Sequence, residues 1–153
     1  MVDVKELKIG NIVCVKYKDG SHVVTSIVKD DAYSGGYCIQ FDNGDKCSLD
    51  YVIPMPLTEE LLLKCGFKKT GDFAFEYKDD ADLIFDAPND WNNTNDYPVG
   101  ISSIDPGYPA MYIPHGEVII RCLYLHDLQN KFFAITGKEL EVNNKEENIK
   151  KNV

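Results

Sequence analysis

A chain of 153 residues, 44% hydrophobic and 27% charged, has the composition of a globular protein that can bury a core without a disulfide or a metal. Its formal net charge of −9 and its single arginine, Arg121, argue against nonspecific nucleic-acid binding, which needs lysine and arginine to neutralise phosphates. No apolar run approaches the roughly 20 residues that a membrane helix requires, so no membrane partner is expected.

From Ile9 the chain reads as short strands. Ile12 to Tyr17 alternates, with Val13 and Val15 on one face and Cys14 on the other. Lys18-Asp19-Gly20 is a turn, His22 to Val28 a second strand, Asp30 to Gly36 a polar loop and Tyr37 to Phe41 a third strand. Asn43-Gly44 is a strong hairpin signal, and Lys46 to Ile53 supplies a fourth strand and a short fifth. Strands of this length and spacing predict a small SH3-like barrel over residues 1–56.

Pro54 and Pro56 interrupt the strands. A short helix follows, near Thr58 to Cys65: Thr58 can cap it, Glu59 and Glu60 suit the positive end of its dipole, and Gly66 ends it. Phe73 to Tyr77 and Leu83 to Asp86 read as a hairpin. Val99 to Ile104, Met111 to Ile113 and Glu117 to Leu123 read as further strands. Within Leu123 to Leu140, Leu125, Leu128, Phe132 and Ile135 recur every three or four residues and form one helical stripe, closed by Gly137. The predicted class is α+β and mainly antiparallel. Residues 57–140 form a second part, a linking helix and a second sheet covered by the C-terminal helix, and 141–153 form a polar tail.

Three groups of residues carry a resemblance. The stretches Leu7-Lys8-Ile9-Gly10-Asn11, Ile53 to Glu60 with Gly66-Phe67, and Leu125-His126, Leu128-Gln129-Asn130, Phe133-Ala134 and Thr136 to Leu140 resemble a family of small proteins. That family recurs in gut Bacteroidales genomes and in their phages and mobile elements. Its helix runs close to VHQLQNLYFALTGKEL; Asp127 and Lys131 depart from that pattern. The resemblance leaves residues 72–116 uncovered. It implies a genomic setting and an order of elements, and no chemistry.

The five cysteines, Cys14, Cys38, Cys47, Cys65 and Cys122, include no C-x-x-C pair, and no secretory leader is read at the N-terminus. A reduced, cytoplasmic protein is expected, its thiols acting as small core residues. His22, His115 and His126 lack metal-ligand spacing, so neither a metal nor another cofactor is expected. No phosphate-binding glycine loop and no nucleophile elbow occurs. Asp105, His115 and Glu117 could form an acid–base group, against the simpler reading of a polar turn. His126-Asp127 is expected to cap the long helix and complement its dipole, and Gln129 and Asn130 to bond across the sheet.

The loop Ala87 to Tyr97 is the expected ligand site. Trp91 and Tyr97 offer rings for stacking or anchoring, and Asn92, Asn93 and Asn95 offer amides, with Arg121 as the associated cation. The competing reading has Trp91 folding back into the core. The leading expectation is a binding protein that is not an enzyme, encoded by a phage or mobile element, engaging a host protein or a small ligand. The alternatives are an anti-defence sponge that sequesters a nucleotide immune signal, and a small hydrolase using His115, Glu117 and Asp105. A homo-oligomer is open to the sequence, and in one the ligand site could lie between chains.

Overall fold

The computed structural model describes residues 2–71, 74–78, 80–86, 110–113 and 118–143, with side chains described over 2–71, 75–78 and 122–143. The chain divides into two compact units: residues 1–56 with 124–138, and residues 57–123 with 139–153. The sequence reading assigned the C-terminal helix to the second part; by backbone proximity it groups with the first.

The first unit is a five-stranded sheet of β1 (Ile12–Val15), β2 (Ser21–Lys29), β3 (Tyr37–Phe41), β4 (Lys46–Ser48) and β5 (Val52–Ile53). Its order is β4-β3-β2-β1-β5, and every pairing is antiparallel. Period-two alternation decides which residues face inward: Val13, Val15, Val24, Ile39, Phe41 and Val52 are buried together with Val2, Leu7 and Leu49, while Cys14 is only half-buried on the opposite face. A register shift between Val24 and Ser26 lets the nine-residue β2 bend over this core. Asn43-Gly44 makes the predicted turn between β3 and β4: Gly44 has φ +86°, and the Asn43 side chain accepts from the Asp45 N–H at 2.9 Å. A single 3-10 turn, Leu49–Tyr51, separates β4 from β5. No closing pair between β4 and β5 occurs among the described residues, so the sheet is open rather than a closed barrel.

Helix α2 (Leu125–Thr136) buries Leu125, Leu128 and Phe132, three of the four predicted stripe residues. Gly137 takes φ +71°, and its N–H donates to the Phe133 carbonyl at 2.8 Å, the left-handed closure that glycine adopts at little cost. The helix starts after Tyr124, whose side chain makes no capping bond. His126 does not cap the helix as expected. It lies inside the first turn, buried, with its ring stacked on Tyr124 at 5.9 Å between centroids. Asp127 does stand in the first turn, where its charge suits the dipole. It also pairs with Lys131 at 3.0 Å, so the two departures from the family pattern are partners, acid before base at i,i+4.

The second unit opens with α1 (Glu59–Lys64), capped as predicted by Thr58, whose hydroxyl accepts from the Leu61 N–H at 3.2 Å. Its sheet is a simple antiparallel meander of β6 (Phe67–Lys69), β7 (Ala74–Tyr77), β8 (Asp80–Asp86), β9 (Ala110–Ile113) and β10 (Val118–Arg121). The sequence reading lacked β6, because Phe67-Lys68-Lys69 is too short to show an alternation; it is held by pairing with β7, Phe67 opposite Tyr77. The expected strand Val99 to Ile104 lies outside the described residues. Of the predicted polar tail, 141–143 are described, and the Asn143 N–H donates to the Lys64 carbonyl at 2.8 Å. Among the described residues, no helix is long and apolar enough to cross a membrane.

Candidate binding surface

The residues expected to bind a ligand in the Ala87 to Tyr97 loop, Trp91, Asn92, Asn93, Asn95 and Tyr97, lie outside the described residues, as do Asp105, His115 and Glu117. Arg121 is the last residue of β10, its backbone paired with Ala110. Among the described residues, no cluster of three or more His, Cys, Asp or Glu could hold a metal. None of the five cysteines is in a disulfide. Burial pushes the Cys65 thiol up to about 12 and raises those of Cys14 and Cys47, which suits packing rather than nucleophilic roles.

Two of the three stretches that carry the family resemblance meet at the start of β1, where strand β5 does not reach: β5 pairs only with Cys14 and Val15. There the Gln129 side chain takes the place of a strand. Its Oε1 accepts from the Ile12 N–H at 2.9 Å, and its Nε2 donates to the Gly10 carbonyl at 3.1 Å. Beside it, Asn11 Nδ2 donates to Asn130 Oδ1 at 2.8 Å, Asn11 Oδ1 accepts from the Lys8 N–H at 2.7 Å, and Asn130 Nδ2 donates to the Glu6 carbonyl at 2.5 Å. Gln129 and Asn11 are buried, with their polar atoms engaged. The cluster therefore fastens α2 to β1 and offers a ligand little. His126 is buried nearby in sequence; its Nδ1 has no hydrogen-bond partner, and burial lowers its pKa.

The other end of β1 differs. The chain turns after Val15, with the Lys18 N–H donating to the Val15 carbonyl at 3.1 Å. Tyr17 stands third in this turn with φ +66°, the only non-glycine at positive φ among the described residues. Glycine or asparagine is the usual occupant of such a position, because a Cβ there meets the backbone. The ring is 87% exposed, so core packing does not explain the conformation.

A second ring is fixed beside it. The Lys16 N–H donates to the Tyr51 carbonyl at 2.8 Å, which ties the turn to the 3-10 segment anchored by buried Leu49. The Ser34 hydroxyl donates to the Asp50 carboxylate, and a Cβ on Gly35 would come within 2.8 Å of Asp50 Oδ1, so that loop lies tightly against the 3-10 turn. The Tyr17 and Tyr51 centroids are 6.5 Å apart with planes at 57°, a tilted ring pair in the shape of a wedge. The Lys16 ammonium lies 5.4 Å from the Tyr17 centroid. Ile53, 41% exposed, extends the apolar surface on β5. Lys18 is held away by Asp45 at 2.5 Å, and its hydrogen bond keeps the Asp45 carboxyl below the usual range.

In the second unit, a shallow cavity of about 660 Å³ is lined by Leu63, Lys64, Gly66, Lys78, Glu141 and Asn143. Lys64 there is paired with Glu60 at 3.1 Å. Residue types alone drew attention to the Trp91 loop and missed Tyr17. The turn was read from Asp19-Gly20, and nothing in the identity of a tyrosine signals a left-handed backbone.

No protein-family model matches this chain, and neither a curated protein nor a solved structure does.

Proposed function

We propose that this chain is a binding protein that is not an enzyme, a member of the Bacteroidales phage and mobile-element family it resembles, acting in the host cytoplasm on a host protein. One observation carries the reading: Tyr17 is held in a strained backbone conformation while its ring is 87% exposed beside Tyr51. Strain kept at an exposed aromatic is more readily accounted for by a contact made outside the chain than by folding. The SH3-like character of the first unit belongs to the same proposal. It is supported by the order β4-β3-β2-β1-β5 and by the 3-10 turn between β4 and β5. The Trp91 loop, with Asn92, Asn93, Asn95 and Tyr97, and Arg121 are proposed as a second contact of the same protein.

A second reading, the nucleotide sponge, is favoured by one feature: Lys16 beside the Tyr17 ring combines a stacking surface with a cation for phosphate. Native mass spectrometry of the full chain in host extract separates the two. A gain of a whole protein mass that disappears in both Tyr17→Gly and Tyr51→Leu supports the leading reading. A gain of a few hundred daltons lost in the same variants supports the sponge. Retention unaffected by either substitution, or no retention at all, overturns both.

A further inference from the structure

The geometry points to a cationic side chain, arginine or lysine, of the partner protein as the occupant of the Tyr17–Tyr51 wedge, with Lys16 holding that seat in the free protein. This rests on the binding reading above and names the chemistry of the group bound. An aromatic face attracts a cation through its quadrupole when the charge lies within about 6 Å of the ring centre. Lys16 already meets that condition over Tyr17 at 5.4 Å, so the ring is oriented to receive a cation. The Tyr51 ring lies tilted at 57° with its centroid 6.5 Å from that of Tyr17, so a cation on the Tyr17 face has a second aromatic ring beside it.

The local charges agree. Asp19 follows Tyr17 by two residues, and Asp50, whose carboxylate accepts from the Ser34 hydroxyl, directly precedes Tyr51; both are exposed, and neither is in an ion pair among the described residues. They favour an incoming cation over an incoming anion. Lys18 does not oppose it, because Asp45 neutralises its charge. The overall net charge of −9 acts in the same direction at longer range.

The resident Lys16 gives the inference a sign. If the wedge takes a cation, Lys16 competes for it and repels it, and Lys16→Met must tighten binding. If it takes a phosphate or another anion, the same substitution must weaken binding. The probes are an acetylated, amidated Gly-Arg-Gly-Arg-Gly peptide and its citrulline-for-arginine counterpart, which keeps the shape and loses the charge. Each is titrated into the isotope-labelled full chain while the amide signals of Tyr17 and Tyr51 are followed by NMR.

The arginine peptide is expected to move both signals and to bind about two- to fivefold more tightly than the citrulline peptide, the range of an exposed cation–π contact. Lys16→Met should tighten the arginine peptide by a similar factor, and Tyr17→Gly should abolish the response. Equal binding of the two peptides, weaker binding by Lys16→Met, or no movement at Tyr17 overturns the inference. If that happens while the partner in host extract still depends on Tyr17, the cation assignment alone falls; if the extract partner is indifferent to Tyr17, the binding reading falls with it.

Discussion

The two ends of strand β1 solve opposite problems. At its start, Gly10 to Ile12 are paired with β2 on one side but not reached by β5 on the other, and the side chain of Gln129 supplies the missing donor and acceptor. At its finish, Lys16 to Lys18 carry a strained backbone and an exposed ring. The first end brings together two of the stretches that carry the resemblance, and there Asn11, Gln129 and Asn130 are engaged in fastening helix to strand. At the second end Tyr17 and Tyr51 lie outside those stretches and stay exposed, while Ile53 beside them begins one of the stretches. The turn at Tyr17 carries backbone strain with no gain in packing.

The largest effect expected breaks the first end. Gln129→Leu keeps the volume and removes both hydrogen bonds, leaving the Ile12 N–H and the Gly10 carbonyl without their partner. A buried group left unpaired costs about 1–3 kcal/mol, so a loss of about 2–3 kcal/mol in urea unfolding is expected. A shift under about 0.5 kcal/mol, the scale of an ordinary surface change, would mean that water replaces Gln129 and that the clamp is incidental. The next effect is at its neighbour. Asn130→Ala should cost about 1–1.5 kcal/mol, the worth of a net hydrogen bond or slightly more. Combined with Asn11→Ala it should cost less than the sum of the two, because each removes the 2.8 Å bond they share. Strict additivity would show that the two asparagines act separately.

What could be read in the sequence, and what could not, divides along range. Asn43-Gly44, the Thr58 cap and the Gly137 closure were all legible, because each is decided by residues within one turn of the chain. The alternation of Val13, Cys14 and Val15 correctly gave the inner face of β1. Gln129 and Asn130 were expected to bond across the sheet, yet their partners at Gly10 to Ile12 are well over 100 residues away, and no local pattern names them. The His126-Asp127 pair was half legible: Asp127 meets the dipole, whereas His126 is drawn inward by its position on the buried side of the first turn. Strand β6 depends on β7 for its existence, which a three-residue segment cannot announce. The surface at Tyr17 was not legible at all, because it is made by backbone strain and by a ring brought across from the 3-10 turn.

A smaller effect, opposite in sign, tests the second end. Tyr17→Gly removes a Cβ from the left-handed region, where a side chain costs about 1–2 kcal/mol. It also adds unfolded-state entropy that costs about 0.5–1 kcal/mol. The variant should therefore be more stable by about 0.5–1 kcal/mol, which thermal unfolding reads as a rise of about 2–3 °C for a chain this long. A substitution that stabilises the fold while removing partner binding would identify Tyr17 as functional. A variant that is less stable would show that the ring packs well enough to repay its strain, and the contrast between the two ends of β1 would lose its basis.

The smallest effect returns to the clamped end and concerns pH. His126 is buried, and its lowered pKa follows first from that burial; Asp127 and Glu6 favour its charged form and Lys131 opposes it. Since the folded pKa lies below the ordinary value of about 6.5, the unfolded chain binds the proton first as the solution is acidified. Its contribution is fully present above about pH 6.5 and is lost as pH falls through the folded value. Replacement by Phe, which can still stack on Tyr124, removes the titrating group, so the wild type should lose stability between pH 6.5 and 5 while His126→Phe stays level over that window. Parallel curves for the two proteins would mean that protonated His126 is accommodated, with its unpartnered Nδ1 finding an acceptor once it carries a proton.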